Sequence, residues 1–137
     1  VVAKRGSLKF VIRSLNQFTD LLVKKVVTDV VANLVAAPIE GGTPVDTGWA
    51  RANWIPNIGS PVKKPRGSRD AVGRASSSQE RGVATVLATY TISKGKVYIS
   101  NPVPYIVFLN EGTSKQAPAG FVQRAIRKAV TSDLRIA

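Results

Sequence analysis

With 137 residues, 44% of them hydrophobic, the chain is long enough for one domain with a real core and too short for two ordinary ones. Cysteine and histidine are both absent, which excludes disulfides, thiolate nucleophiles, imidazole bases and the usual zinc sites, and leaves eight carboxylates, with lysines and hydroxyls, for any chemistry. The net charge of +12 is concentrated in residues 1–13, 56–82 and 115–137, at +4 each; it serves either solubility or contact with DNA or acidic protein faces.

No apolar run approaches the ~20 residues of a membrane span. Val1-Val2-Ala3-Lys4-Arg5 lacks the apolar core of a signal peptide, so the expectation is a soluble chain without secretory routing. From Leu8 onward apolar residues fall at 8, 11, 15, 18, 22, 26, 30 and 34, in steps of three and four only. This spacing predicts one helix over about 8–36. Ser7 is a candidate cap, with Ser14 and Gln17 as a later alternative. Asp20 precedes Lys24 by four residues, the favourable order for a helix ion pair.

The helix is rich in valine, an indifferent helix former, so packing must hold it. Its length of roughly 45 Å exceeds what a globule with a radius of gyration near ~14 Å can cover. Either it breaks near Arg13 and Ser14, or its protruding part rests on a neighbouring subunit.

Pro38 ends the helix, and Glu40-Gly-Gly-Thr-Pro44 forms a loop. Asp46-Thr47-Gly48 is the catalytic triplet of aspartic proteases, but that chemistry needs the triplet between apolar strands, with a second carboxylate to share a proton. Trp49-Ala-Arg-Ala-Asn53 follows instead, so Asp46 reads better as the cap of a short helical turn, accepting from the N–H of Gly48 or Trp49. Trp54-Ile55 with Ile58 suggests a strand, and Trp49 and Trp54 are core or subunit-contact aromatics.

Residues 56–82 read as a flexible basic arm, rich in Pro, Gly and Ser, with Lys63, Lys64, Arg66, Arg69, Arg74 and Arg81. The arm would track phosphates or become ordered on a neighbouring protein. No aromatic is interleaved with its bases, so the stacking signature of single-strand binding is missing. Ser77 and Glu80 form a capping box for a helix of about 12 residues through Val83, Val86, Leu87 and Tyr90.

Val97 to Ser100 reads as a strand whose antiparallel partner is the segment around Trp54. Tyr105 to Asn110 is a helical turn or a strand. A last helix from Pro118 would pack Phe121, Ala125, Ile126 and Ala129 inward, with Arg124, Arg127 and Lys128 outward. The expected class is α+β, with a long N-terminal amphipathic helix and a C-terminal helix packed on a small, mostly antiparallel sheet, plus a long basic loop. No phosphate loop is present, and no metal, cofactor or catalytic residue is predicted. Glu111 has no paired acid, and its expected role is to bind nearby N–H groups or Arg51.

Two blocks carry a family resemblance. Thr43-Pro-Val-Asp-Thr-Gly48 with Arg51-Ala-Asn-Trp54 is one; Asn101 through Ala125, with Pro104-Tyr105 and Leu109-Asn-Glu-Gly-Thr-Ser-Lys-Gln-Ala-Pro-Ala-Gly-Phe121, is the other. Together they resemble the tail-completion, or head-to-tail connector, family of bacteriophages, related to the lambda-type minor tail protein Z. The chain departs at Trp49 and Ala50, where the family carries a basic residue and a large aliphatic, so an ion pair there rests on Arg51 alone. Glu40-Gly-Gly42 also lengthens the lead-in.

The resemblance implies a non-enzymatic structural protein of the virion neck, assembled in the host cytoplasm. It would be a homo-oligomeric ring, six-fold, joining the head connector or adaptor to the tail tube in a tail-completion or tail-terminator role, with genomic DNA in its lumen. Closing such a ring needs two different faces per subunit. Asp46, Arg51, Trp54, Tyr105, Glu111 and Phe121 are the candidate interface residues. The first helix and the arm would form one face, and the Asn101-to-Phe121 block would support the other. The alternative is a basic protein gripping duplex DNA non-specifically through Lys63, Lys64, Arg66, Arg69 and Arg74.

Overall fold

A computed structural model describes residues 5–45, 47–68 and 72–135, with Arg5 and Val72 described by their backbone alone. The chain is α+β. Its first helix, α1 (Arg5–Val35), runs unbroken for 31 residues, as the one-helix reading expects, and of the two alternatives for its excess length the break near Arg13 and Ser14 does not occur. Ser7 and Ser14 both lie inside the helix and cap nothing. The Asp20–Lys24 pair does not form either: Asp20 accepts the backbone N–H of Ile92 at 2.6 Å, and the ion pair of this helix is Lys25–Asp29 at 3.0 Å.

The chain reverses after α1 through a 3-10 turn at Pro38–Glu40. Gly42 is required here because a Cβ at this position would collide with the Ala36 carbonyl. Thr43 then donates to the Leu34 carbonyl twice, from its N–H at 2.9 Å and its hydroxyl at 2.7 Å. One carbonyl orphaned by the end of α1 is thereby satisfied. The same hydroxyl accepts from Trp54 Nε1 at 2.8 Å, which fixes Trp54 in the core against α1.

Strands β1 (Ile55–Ile58) and β2 (Val97–Ser100) pair antiparallel as the sequence suggests, with Ile55 opposite Ser100 and Ile58 opposite Val97. An isolated two-stranded ribbon is marginal in water. Here α3 (Val72–Thr89) packs on β1. A Cβ at Gly82 would sit 2.7 Å from the Pro56 carbonyl, so the missing side chain is what permits this approach. The helix starts five residues before the Ser77 capping box. The Ser77 and Ser78 hydroxyls donate instead to the carbonyls of Gly73 and Arg74 within the helix, the alternative always open to serine.

α4 (Ile106–Asn110) resolves the ambiguous Tyr105 segment as helix, and α5 (Phe121–Leu134) starts at Phe121 and not at Pro118. The core has two parts. One joins Val30 and Leu34 of α1 to Trp54, Ala117, Phe121, Ala125 and Ala129; the other joins Val27 to Val86 and Tyr90. The alanines of α5 let the two long helices approach closely. Ile126 is corrected to the exposed face: positions 121, 125 and 129 already fill the inward stripe, and 126 lies about 100° off it.

Candidate functional site

The two blocks that carry the family resemblance fold against each other. Gln116 grips the backbone of Val45 with both ends of its amide, accepting its N–H at 2.8 Å and donating to its carbonyl at 2.6 Å. Asn101 Nδ2 donates to the Ala50 carbonyl at 2.7 Å, and so anchors α2 (Trp49–Ala52). The rings of Trp49 and Tyr105 lie 6.1 Å apart at 56°, a tilted contact of the favoured kind. Asn110 caps α5, with its Oδ1 accepting the N–H of Val122 at 3.0 Å. Gly112 takes φ +95° in the turn between α4 and α5, where only glycine is comfortable. These short polar and turn residues form a structural staple.

The predicted interface residues therefore divide. Phe121 is fully buried and Trp54 nearly so, and neither presents a surface to a second molecule. Arg51 is half-buried; its carbonyl accepts from Gln79 Nε2 at 3.1 Å, and the same amide reaches the Trp54 carbonyl at 2.9 Å. Glu111 lies exposed after α4, and among the described residues its carboxylate meets neither of its expected partners, nearby N–H groups or Arg51. Tyr105 is half-buried against Trp49. Asp46 and Arg69 lie outside the described residues, and so does the proposed capping by Asp46; the N-cap of α2 is Gly48 at φ 85°. Lys63, Lys64, Arg66 and Arg74 are exposed.

The loop that carries three of these bases is laced to the body. Asn53 accepts the N–H of Arg66 at 2.7 Å and donates to its carbonyl at 3.2 Å, and Trp49 Nε1 reaches the same carbonyl at 3.1 Å. Ser100 accepts the N–H of Val62 at 2.9 Å. Asn53 is fully buried, so its amide stands in for a missing strand partner. The described residues of the span 56–82 thus comprise the end of β1, this tethered loop and the first part of α3.

Three surfaces stand out, none of them anticipated in full from the sequence. The first is the N-terminal half of α1, where Leu8, Phe10, Val11, Ile12, Leu15, Phe18 and Leu21 are all exposed, Phe10 to 68%. The second is a shallow apolar groove of about 480 Å³ beside it, between the middle of α1, β2 and the end of α5. The third is the outer face of α5, where Arg124, Arg127, Lys128 and Arg135 surround Thr131 and Ser132 with no carboxylate among them.

A fourth feature is internal. Asp133 of α5 is buried against α1, with no hydrogen-bond donor on either carboxylate oxygen and the Lys25 ammonium at 3.5 Å. Burial pushes its pKa above the ordinary carboxylate range, and the neighbouring Asp29 pushes in the same direction. Burial also opposes ionisation of Asp29, but the Lys25 ammonium, hydrogen-bonded to it at 3.0 Å, outweighs burial and holds its pKa low. Lys25 is raised, chiefly by its hydrogen bond to Asp29. This pairing of α1 with α5 has no sequence signal, because the residues are about a hundred positions apart. Among the described residues no cluster of carboxylates could hold a metal ion, and no helix is long and apolar enough to cross a membrane.

No protein-family profile, curated protein or solved structure matches the chain.

Proposed function

We propose that the chain is a non-enzymatic structural subunit of a bacteriophage neck, where copies join into a six-fold ring between the head connector and the tail tube, as a tail-completion or tail-terminator protein. The observation that carries this reading is the exposed apolar half of α1. Patches of this kind mark interaction surfaces in proteins that otherwise have no reason to expose them. The identity of the assembly rests on the resemblance of the Thr43-to-Trp54 and Asn101-to-Ala125 blocks to the tail-completion family. Light scattering and electron microscopy of the purified chain test the reading. Rings of uniform diameter are the expected product, and a monomer at high concentration would refute it.

A second reading, a protein gripping duplex DNA without sequence preference, is favoured by the basic outer face of α5 together with Lys63, Lys64 and Arg66 on the tethered loop. It predicts that replacing Arg124, Arg127 and Lys128 by Ala lowers the salt dependence of DNA binding by roughly 0.9 per lost phosphate contact. Equal salt slopes for parent and variant would remove this reading. The two are compatible, since a neck ring encloses the genome as it leaves the head.

A further inference from the structure

The exposed part of α1 calls for a cover. Seven large apolar side chains, from Leu8 to Leu21, leave about half or more of their surface in solvent. At about 200 Å² for a whole large side chain, this is on the order of 800 Å². One partner contributes about that much to an interface of standard size, and the largest patch of a typical monomer is ~300–600 Å².

The pattern of the apolar residues says what kind of cover fits. Leu8, Val11, Leu15, Phe18 and Leu22 have heptad spacing, but two heptads are too few for a stable coiled coil, which needs about three or four. Phe10, Ile12 and Leu21 widen the apolar arc well beyond a two-helix seam, to about 200° at ~100° per residue. A helix with so broad a face is suited to a groove that contacts it on both flanks.

Such a groove is present on the same chain. It is lined by Leu22, Val26, Tyr98, Val130 and Leu134 among others, and among the described residues Lys96 is its one charged lining residue. The chain cannot fill its own groove, because α1 runs unbroken from the overhang into the groove wall. A second copy can fill it.

We propose that residues 8–21 of α1 from one copy seat in the groove between α1, β2 and α5 of another copy. Lys9 and Arg13 lie off the apolar stripe and stay in water. The proposal rests on the assembly reading above and names the contact that would build it. Because donor and acceptor surfaces are different parts of the chain, successive copies join head to tail, and a rotation that closes gives a ring.

The test uses the full chain with two substitutions, Leu15→Glu in the overhang and Leu134→Glu at the groove rim. Leu15 and Leu134 are 60% and 51% exposed, so both variants should keep the parent's circular dichroism and melting temperature. Tyr98→Lys replaces Leu134→Glu should the latter not fold. Sedimentation should show self-association weakened by about tenfold or more in each. An equimolar mixture should recover a heterodimer, since the groove variant keeps a sound overhang and the overhang variant a sound groove.

The seat is overturned if groove variants associate like the parent, or if the mixture recovers nothing. In either case a parent that still forms rings leaves the neck reading standing. A verified seat that yields only closed dimers retains the contact and refutes the ring. A parent monomeric at high concentration refutes both.

Discussion

The two halves of α1 have the same kind of sequence and opposite surroundings. From Val23 to Leu34 the apolar stripe meets Phe121, Ala125 and Ala129 of α5 on one side and Val86 of α3, with Tyr90 just after it, on the other. From Leu8 to Leu21 a stripe at least as apolar meets solvent. Periodicity identifies a helix and its apolar face, but it says nothing of whether that face is covered within one copy. The cover on the second half is supplied by residues far along the chain, Val86 and Tyr90 on one side and residues of α5 on the other.

The sharpest way to break this comparison is to truncate one phenylalanine in each environment. Phe121→Ala should lower the folding free energy by about 3–5 kcal/mol, since it opens a cavity at a fully buried site. Phe10→Ala should leave it within about 0.5 kcal/mol in dilute solution. Urea denaturation measures both; a comparable loss in the two variants would mean that the overhang is already covered within a single copy.

Gly42→Ala probes the turn that ends the covered half. The new methyl would collide with the Ala36 carbonyl, and forcing the turn open should cost about 1–3 kcal/mol. Parent-like stability would show that the turn relaxes freely. Trp54→Phe keeps most of the ring's packing but removes the donor to Thr43. The Thr43 hydroxyl retains its bond to Leu34, so the expected loss is smaller, about 1 kcal/mol. Combining Trp54→Phe with Thr43→Val in a double-mutant cycle isolates the coupling; no coupling would assign the loss to packing alone.

Much of the fold is legible in the sequence. The step pattern gives α1, β-branched and aromatic content gives both strands, and their pairing follows from there being two. The start of α3 is missed because three serines suggest a cap or a loop, while the hydroxyls of Ser77 and Ser78 bond back within the helix. Residues 56–82 are read as a flexible arm because Pro, Gly, Ser and basic residues dominate, and the side chains that tether its 62–66 part, buried Asn53 with Trp49 and Ser100, carry no periodicity to reveal it. The candidate interface fares worst for a physical reason. Motif residues attract attention by being distinctive, and Gln116, Asn101 and Asn110 are distinctive because they fix turns and helix ends. The apolar surface free to meet a partner is made of ordinary leucines, valines and phenylalanines on α1; the length of the helix announces an overhang, but only the packing decides which side chains stay exposed.

The smallest effect, and the one with a clear sign, concerns the joint that holds the covered half in place. Asp133 has a folded pKa above its ordinary value, so its contribution to stability is fully present below the ordinary carboxylate range and is lost as pH rises through the raised value. Asp29, held low, acts oppositely: its contribution is present above the ordinary range and is lost as pH falls through the lowered value. The two together place the optimum of this joint in mild acid. Asp133→Asn keeps the shape and supplies a neutral group that can donate to Asp29 at any pH. The variant should melt at a higher temperature than the parent at pH 7, with the difference shrinking as pH falls through the raised value of Asp133. A lower melting temperature for the variant at pH 7, with the parent's slope retained, would mean that the parent keeps Asp133 ionised and satisfied by Lys25. The α1–α5 contact would then be an ion pair, and the covered half of the helix would be held by charge as well as by packing.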